Sequence, residues 1–165
     1  MIFTNLFKKK TEYWDSYKTY LINEFHLSFN ILVDIDKQSD LLLDKIVSSY
    51  KNNNTSICNF DAHIIDKDAR FIYMVGILSK AIDSHINSII LTDSDDSSIE
   101  INKNIGESFH LNNKSLQYAI NYHKELPMEM FSKCKLVILD NIEYKSIKIL
   151  SDLIYSKNIA VINFQ

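Results

Sequence analysis

Short apolar runs separated by longer amphipathic stretches constrain this chain most. "SIILTD" (88–93), "KLVILDN" (135–141) and "IAVINF" (159–164) are too short for buried helices and are rich in β-branched residues. "FNILVDID" (29–36) and "SICNFDAHII" (56–65) read as strands in the same way. Helical spacing marks 11–25 through Trp14, Tyr17, Leu21 and Phe25, with Thr11 as cap. It also marks 38–52 through Leu42, Ile46 and Tyr50, 68–86 through Phe71, Val75, Leu78 and Ile82, and 142–158 through Ile147, Leu150 and Ile154. Asp66 or Asp68 caps the third of these helices. The stretch 114–126 reads as a short helix ended by Pro127, and 94–113 as a polar loop or small hairpin. Strands alternating with helices predict an α/β fold: a layered, largely parallel sheet with helices on both faces. Residues 1–10 are expected to form an N-terminal arm, and 11–165 a single α/β domain.

The scarcity of glycine excludes whole classes of phosphate-binding fold. Only Gly76 and Gly106 occur in 165 residues, with Pro127 the one proline. Walker A loops and dinucleotide-binding turns need glycines because backbone must approach phosphate closely, which side chains would block. Neither motif can be built here. That excludes a standard P-loop NTPase, a Rossmann dehydrogenase and a protein kinase. Gly76 lies inside a helix apolar on most sides, so a close neighbour is expected to offset its cost of about 1 kcal/mol against Ala.

Net charge is −3, so no basic field is available for nucleic acid. Arg70 is the only arginine, leaving one candidate for a bidentate carboxylate or phosphate clamp. Cys58 and Cys134 are far apart and lack metal spacing, which suits reduced thiols in a cytoplasm. No apolar run is long enough to span a membrane. The five histidines show no metal spacing, and no GxSxG elbow is present.

Two sets of residues are candidates for function. Acids gather where strands are expected to end: Asp34 and Asp36, Asp61, Asp93 with Asp95 and Asp96, and Asp140. Ligands bind at the carboxyl ends of parallel strands, and carboxylates suit magnesium. Asp34, Asp36, Asp93 and Asp140 therefore form one candidate metal set, against their ordinary use as caps and turn residues. The second set is aromatic: Phe3 and Phe7 of the arm, then Trp14, Tyr17 and Tyr20, which serve either as core or as partner contacts.

"ILVDIDKQSDLLL" (31–43) resembles the opening strand and first phosphate loop of actin-like, ribonuclease-H-like folds, with Asp34 in the Asp position and Asp36 where the family has Gly. Such domains occur in the inner-membrane assembly proteins of type IV pili and type II secretion, the GspL and PilM group. The resemblance implies a partial actin-like fold and a non-enzymatic cytoplasmic scaffold, part of a bitopic protein at the inner membrane. Its implied partners are the pilus assembly ATPase and the polytopic platform protein, with homo-oligomers an open option and no cofactor. Two further readings stay open: a magnesium-dependent phosphotransfer or hydrolase domain using the strand-end aspartates, and a degenerate ATPase-like subunit without nucleotide binding. The last rests on "KLVILDN", which resembles a Walker B strand.

Overall fold

The computed structural model describes residues 11–52, 57–60, 67–110, 118–124, 126 and 128–165, without the side chains of 59, 60, 67 and 68. The arm with Phe3 and Phe7, and Asp61 and Asp66, lie outside the described residues. Two helices come first, α1 (Glu12–Phe25) and α2 (Phe29–Lys51), then β1 (Ile57–Phe60). Next come α3 (Lys67–Asp83), β2 (Ser88–Thr92), α4 (Asp95–Ser108) and β3 (Ala119–Asn121). The chain continues with α5 (Met128–Lys133), β4 (Leu136–Asp140), a 3-10 turn (Tyr144–Ser146), α6 (Lys148–Ser156) and β5 (Ala160–Phe164).

The five strands form one sheet in the order β1-β5-β4-β2-β3, and every neighbouring pair is parallel. The expected α/β class, parallel sheet and helices on both faces all hold. Alternation along β4 shows why its run is continuously apolar. Leu136 and Ile138 enter one core with α1 to α4, while Val137 and Leu139 enter the other with α5 and α6. Helix α3 lies against the sheet, and α1 and α2 pack on α3. Apolar residues nearly all round α3 are thus buried on two sides. An ideal Cβ at Gly76 would stand 2.8 Å from the Ile35 Cγ2 methyl of α2, so this glycine permits the α2–α3 approach.

Four elements differ from the sequence reading, one of them α5, which it left unassigned. Residues 29–36 are not a strand; they open α2. Leu32, Ile35, Ser39, Leu42, Leu43 and Ile46 are buried at helical spacing, while Ile31 and Val33 face outward, so the β-branched run misled. The strand on which the likeness to actin-like folds was read is therefore helical. Residues 95–108 are a helix rather than a loop. Ser94 caps it, its hydroxyl accepting the Ser97 N–H at 3.2 Å, and Asp95 and Asp96 favour its first turn. Only Ile101 and Ile105 make its apolar stripe, too few for a clear periodic signal. Residues 119–121 form an edge strand rather than a helix. The Asn102 side chain of α4 fastens it, accepting the Tyr118 and Ala119 N–H groups and donating to the Ala119 carbonyl at 2.8 Å.

Candidate functional site

The chain leaves β2 toward α4 on one face of the sheet and leaves β4 toward α6 on the other. The carboxyl ends of β2 and β4 therefore flank a switch point, where parallel sheets hold their ligands. β4 ends there on Asp140, whose side chain is 3% exposed. Leu136 and Ile138 point to α3, so Asp140, two residues on, does so too. Arg70, in the first turn of α3, meets it: Nε stands 2.6 Å from Oδ1. The N–H is not aimed along that contact, so charge carries it more than hydrogen-bond geometry. The same guanidinium lies 5.6 Å from the Phe71 ring centroid. The sequence had named Arg70 as the only clamp candidate but paired it with nothing.

The four candidate metal carboxylates do not come together. Asp34 and Asp36 stand on α2 and not at a strand end, a correction that follows from 29–36 being helical. The Tyr73 hydroxyl of α3 donates to Asp34. Lys80 of α3 pairs with Asp36 and, at 2.9 Å, with Asp40; it also donates to the Asp36 carbonyl at 2.9 Å. Its ammonium lies 4.8 Å from the Trp14 ring centroid. These acids fasten α2 to the outer side of α3, whereas Asp140 faces the sheet side. Asp93 is exposed just past β2. Among the described residues no group of three His, Cys, Asp or Glu side chains could hold a metal ion.

The aromatic candidates are placed differently from one another. Trp14 and Tyr17 are buried; the Tyr17 hydroxyl donates to the Ile72 carbonyl at 2.8 Å. Tyr20 is half-buried, its hydroxyl within reach of Asn104 and Glu107 on α4. The large apolar side chains left exposed are others, spread over several elements; they include Ile22 and Phe25 at the end of α1, Phe29 and Val33 at the start of α2, with Phe29 at 78%, and also Ile99, Met128 and Ile149 elsewhere. Reading 29–36 as a strand hid the exposure of Phe29 and Val33.

Burial shifts several titratable groups upward. Burial and the Glu107 carboxylate push Tyr20 up to about 12, and burial with Asp34 raises Tyr73. Burial raises Tyr17 well above its ordinary value and pushes the Cys134 thiol up to about 11. These groups stay protonated near neutral pH and act as donors or core, not as nucleophiles. Comparison with family models, with curated proteins and with solved structures finds no match for this chain.

Proposed function

We propose that this chain is a non-catalytic, ATPase-like α/β unit that works by contact with other proteins. The observation that carries the reading is the buried Arg70–Asp140 pair. A P-loop ATPase uses a strand, a glycine-rich loop and a helix to cradle phosphate. A carboxylate at the end of another strand then helps hold magnesium near the start of that helix. Here β1, residues 61–66 and α3 follow that order, and Asp140 faces the first turn of α3. The cation beside Asp140 is the protein's own guanidinium. Residues 61–66 read DAHIID, with acids and no glycine where backbone would have to embrace phosphate. Exposed Ile22, Phe25, Phe29 and Val33, close in sequence across the α1–α2 turn, offer apolar area for protein contacts.

The pilus-assembly scaffold belongs to the same class of activity, but its resemblance was read on an opening strand, and residues 31–43 are helical. The magnesium phosphotransfer reading is weaker, since Tyr73 and Lys80 engage Asp34 and Asp36 on the outer side of α3.

Calorimetric titration with ATP, with and without magnesium, tests the reading. The expected result is no binding heat at millimolar nucleotide and no rise in Tm. A saturable isotherm accompanied by amide shifts at Arg70, Phe71 and Asp140 would overturn it.

A further inference from the structure

A cavity of about 350 Å³ lies between α1, α3 and α4. Its volume is near the lower end of the roughly 300–1,000 Å³ of small-molecule sites, which suits a whole small ligand. Four of its lining residues are aromatic: Tyr17, Tyr20 and Phe25 of α1 and Phe71 of α3. Tyr17 and Tyr20 are one helical turn apart, and their rings stack at 6.4 Å and 20°. Tyr20 and Phe25 meet at 5.7 Å and 68°, so those two walls stand at a steep angle. Phe25 is 45% exposed, which keeps one wall in reach of solvent.

The side formed by α4 is acidic. Glu100 lines the cavity and is exposed, and among the described residues no cation pairs with it. Glu107, on the same face of α4, adds a second carboxylate within 3.1 Å of the Tyr20 hydroxyl. No Lys, Arg or His is among the lining residues. Arg70, 5.6 Å from the Phe71 ring centroid, is held by Asp140. Aromatic faces are electron-rich, and a carboxylate adds net negative charge, so this lining attracts a cation.

Hydrogen-bond acceptors decide which cation. The Tyr17 hydroxyl already donates to the Ile72 carbonyl at 2.8 Å, and the Tyr20 hydroxyl lies 3.2 Å from Asn104 Oδ1. A primary ammonium brings three N–H donors and a guanidinium five, each needing an acceptor once it leaves water. A quaternary ammonium brings none, and its methyl groups bury apolar surface against the rings. We propose that this cavity binds a small, free quaternary ammonium cation of the choline type, its methylated head against Tyr20, Phe25 and Phe71 and its charge toward Glu100. Neither Arg70 nor Asp140 takes part, so the site is tested independently of nucleotide.

The test is an NMR titration of the full chain with choline and, separately, with the neutral alcohol in which a carbon atom replaces the choline nitrogen. Saturable shifts at Tyr20, Phe25, Phe71 and Glu100 are expected, with the neutral alcohol bound at least about tenfold more weakly. Equal affinity for the two would make the cavity an apolar hole and overturn the proposal. The absence of saturable shifts at millimolar choline would do the same. Phe25→Leu keeps apolar bulk at an exposed position but removes a ring, and Glu100→Gln keeps shape but removes charge. Each should weaken choline about three- to tenfold, with the neutral alcohol nearly unaffected and the remaining amide shifts showing the fold intact. Unchanged choline affinity in both variants also overturns it. A trimethyllysine tripeptide that binds more tightly than choline would assign the site to a protein ligand and overturn the free cation as occupant.

Discussion

Arg70 and Lys80 are both largely buried on α3, yet one faces the sheet and the other faces the outer helices. The partner of Arg70 is 3% exposed. The partners of Lys80, Asp36 and Asp40, are 52% and 44% exposed. Charges that share a dry site depend on each other, because either one alone has lost its water without compensation. Charges at a wet rim keep water as a substitute partner. The sheet side of α3 therefore holds a pair that must be kept or removed together, and the outer side holds a fastener whose parts can fail singly.

That contrast can be broken by experiment. Arg70→Ala removes the cation beside a buried carboxylate and is expected to lower the unfolding free energy by about 3–5 kcal/mol in urea titrations. Replacing both partners, Arg70→Met with Asp140→Leu, should recover most of the loss. A single-variant loss below about 1 kcal/mol would mean that the pair is no drier than a surface one. Next in size is Gly76→Ala. The added methyl meets Ile35 at 2.8 Å, and Ile35 is fully buried with a stiff branched side chain. Overpacking of about 1–3 kcal/mol then outweighs a helix-propensity gain of about 1 kcal/mol, so net destabilisation is expected. Ile35→Leu, which removes the branch at Cβ, should reduce that loss in a double-mutant cycle.

On the wet side, Lys80→Met should cost about 1 kcal/mol, combining a weak ion-pair term with the contact over Trp14. A loss as large as that of Arg70→Ala would erase the difference between the two sides. The smallest effect is expected at Gly106. A Cβ there meets nothing within 4 Å, so Gly106→Ala should stabilise by about 0.5–1 kcal/mol, read as a higher urea midpoint at constant slope. The opposite signs expected at the two glycines separate a residue needed for packing from one that is not.

Much of the architecture was readable from residues. The runs at 88–93, 135–141 and 159–164 became β2, β4 and β5, because a strand covered on both faces has to be apolar throughout. The stripes led by Trp14 and Phe71 became α1 and α3, and of the stretch 142–158 with Ile147, Leu150 and Ile154 the part from Lys148 to Ser156 became α6, Ile147 standing at its cap. The demand for a close neighbour at Gly76 was met by Ile35. Where the reading failed, the local signal was divided. Ile31 and Val33 favour a strand on propensity, and the helical phase of Leu32, Ile35 and Leu42 outweighed them once α2 had α3 to cover. Helix α4 offered two core isoleucines and a run of serines and asparagines, a pattern that turns share. β3 has three residues and depends on Asn102 of another element.

The candidate site was less readable for a related reason. Asp140 and Arg70 were each visible as a lone acid at a strand end and a lone arginine, but nothing local to either names the other. Amino-acid order determined where backbone could run extended or helical and which positions needed shelter from water. It also determined that no glycine-lined phosphate loop could form, since that depends on residue type alone. Tertiary packing decided which acid met which cation, which aromatic rings were inside, and which apolar side chains stayed in water. Ion pairing and burial depend on two segments meeting in space, and segment order does not record that distance.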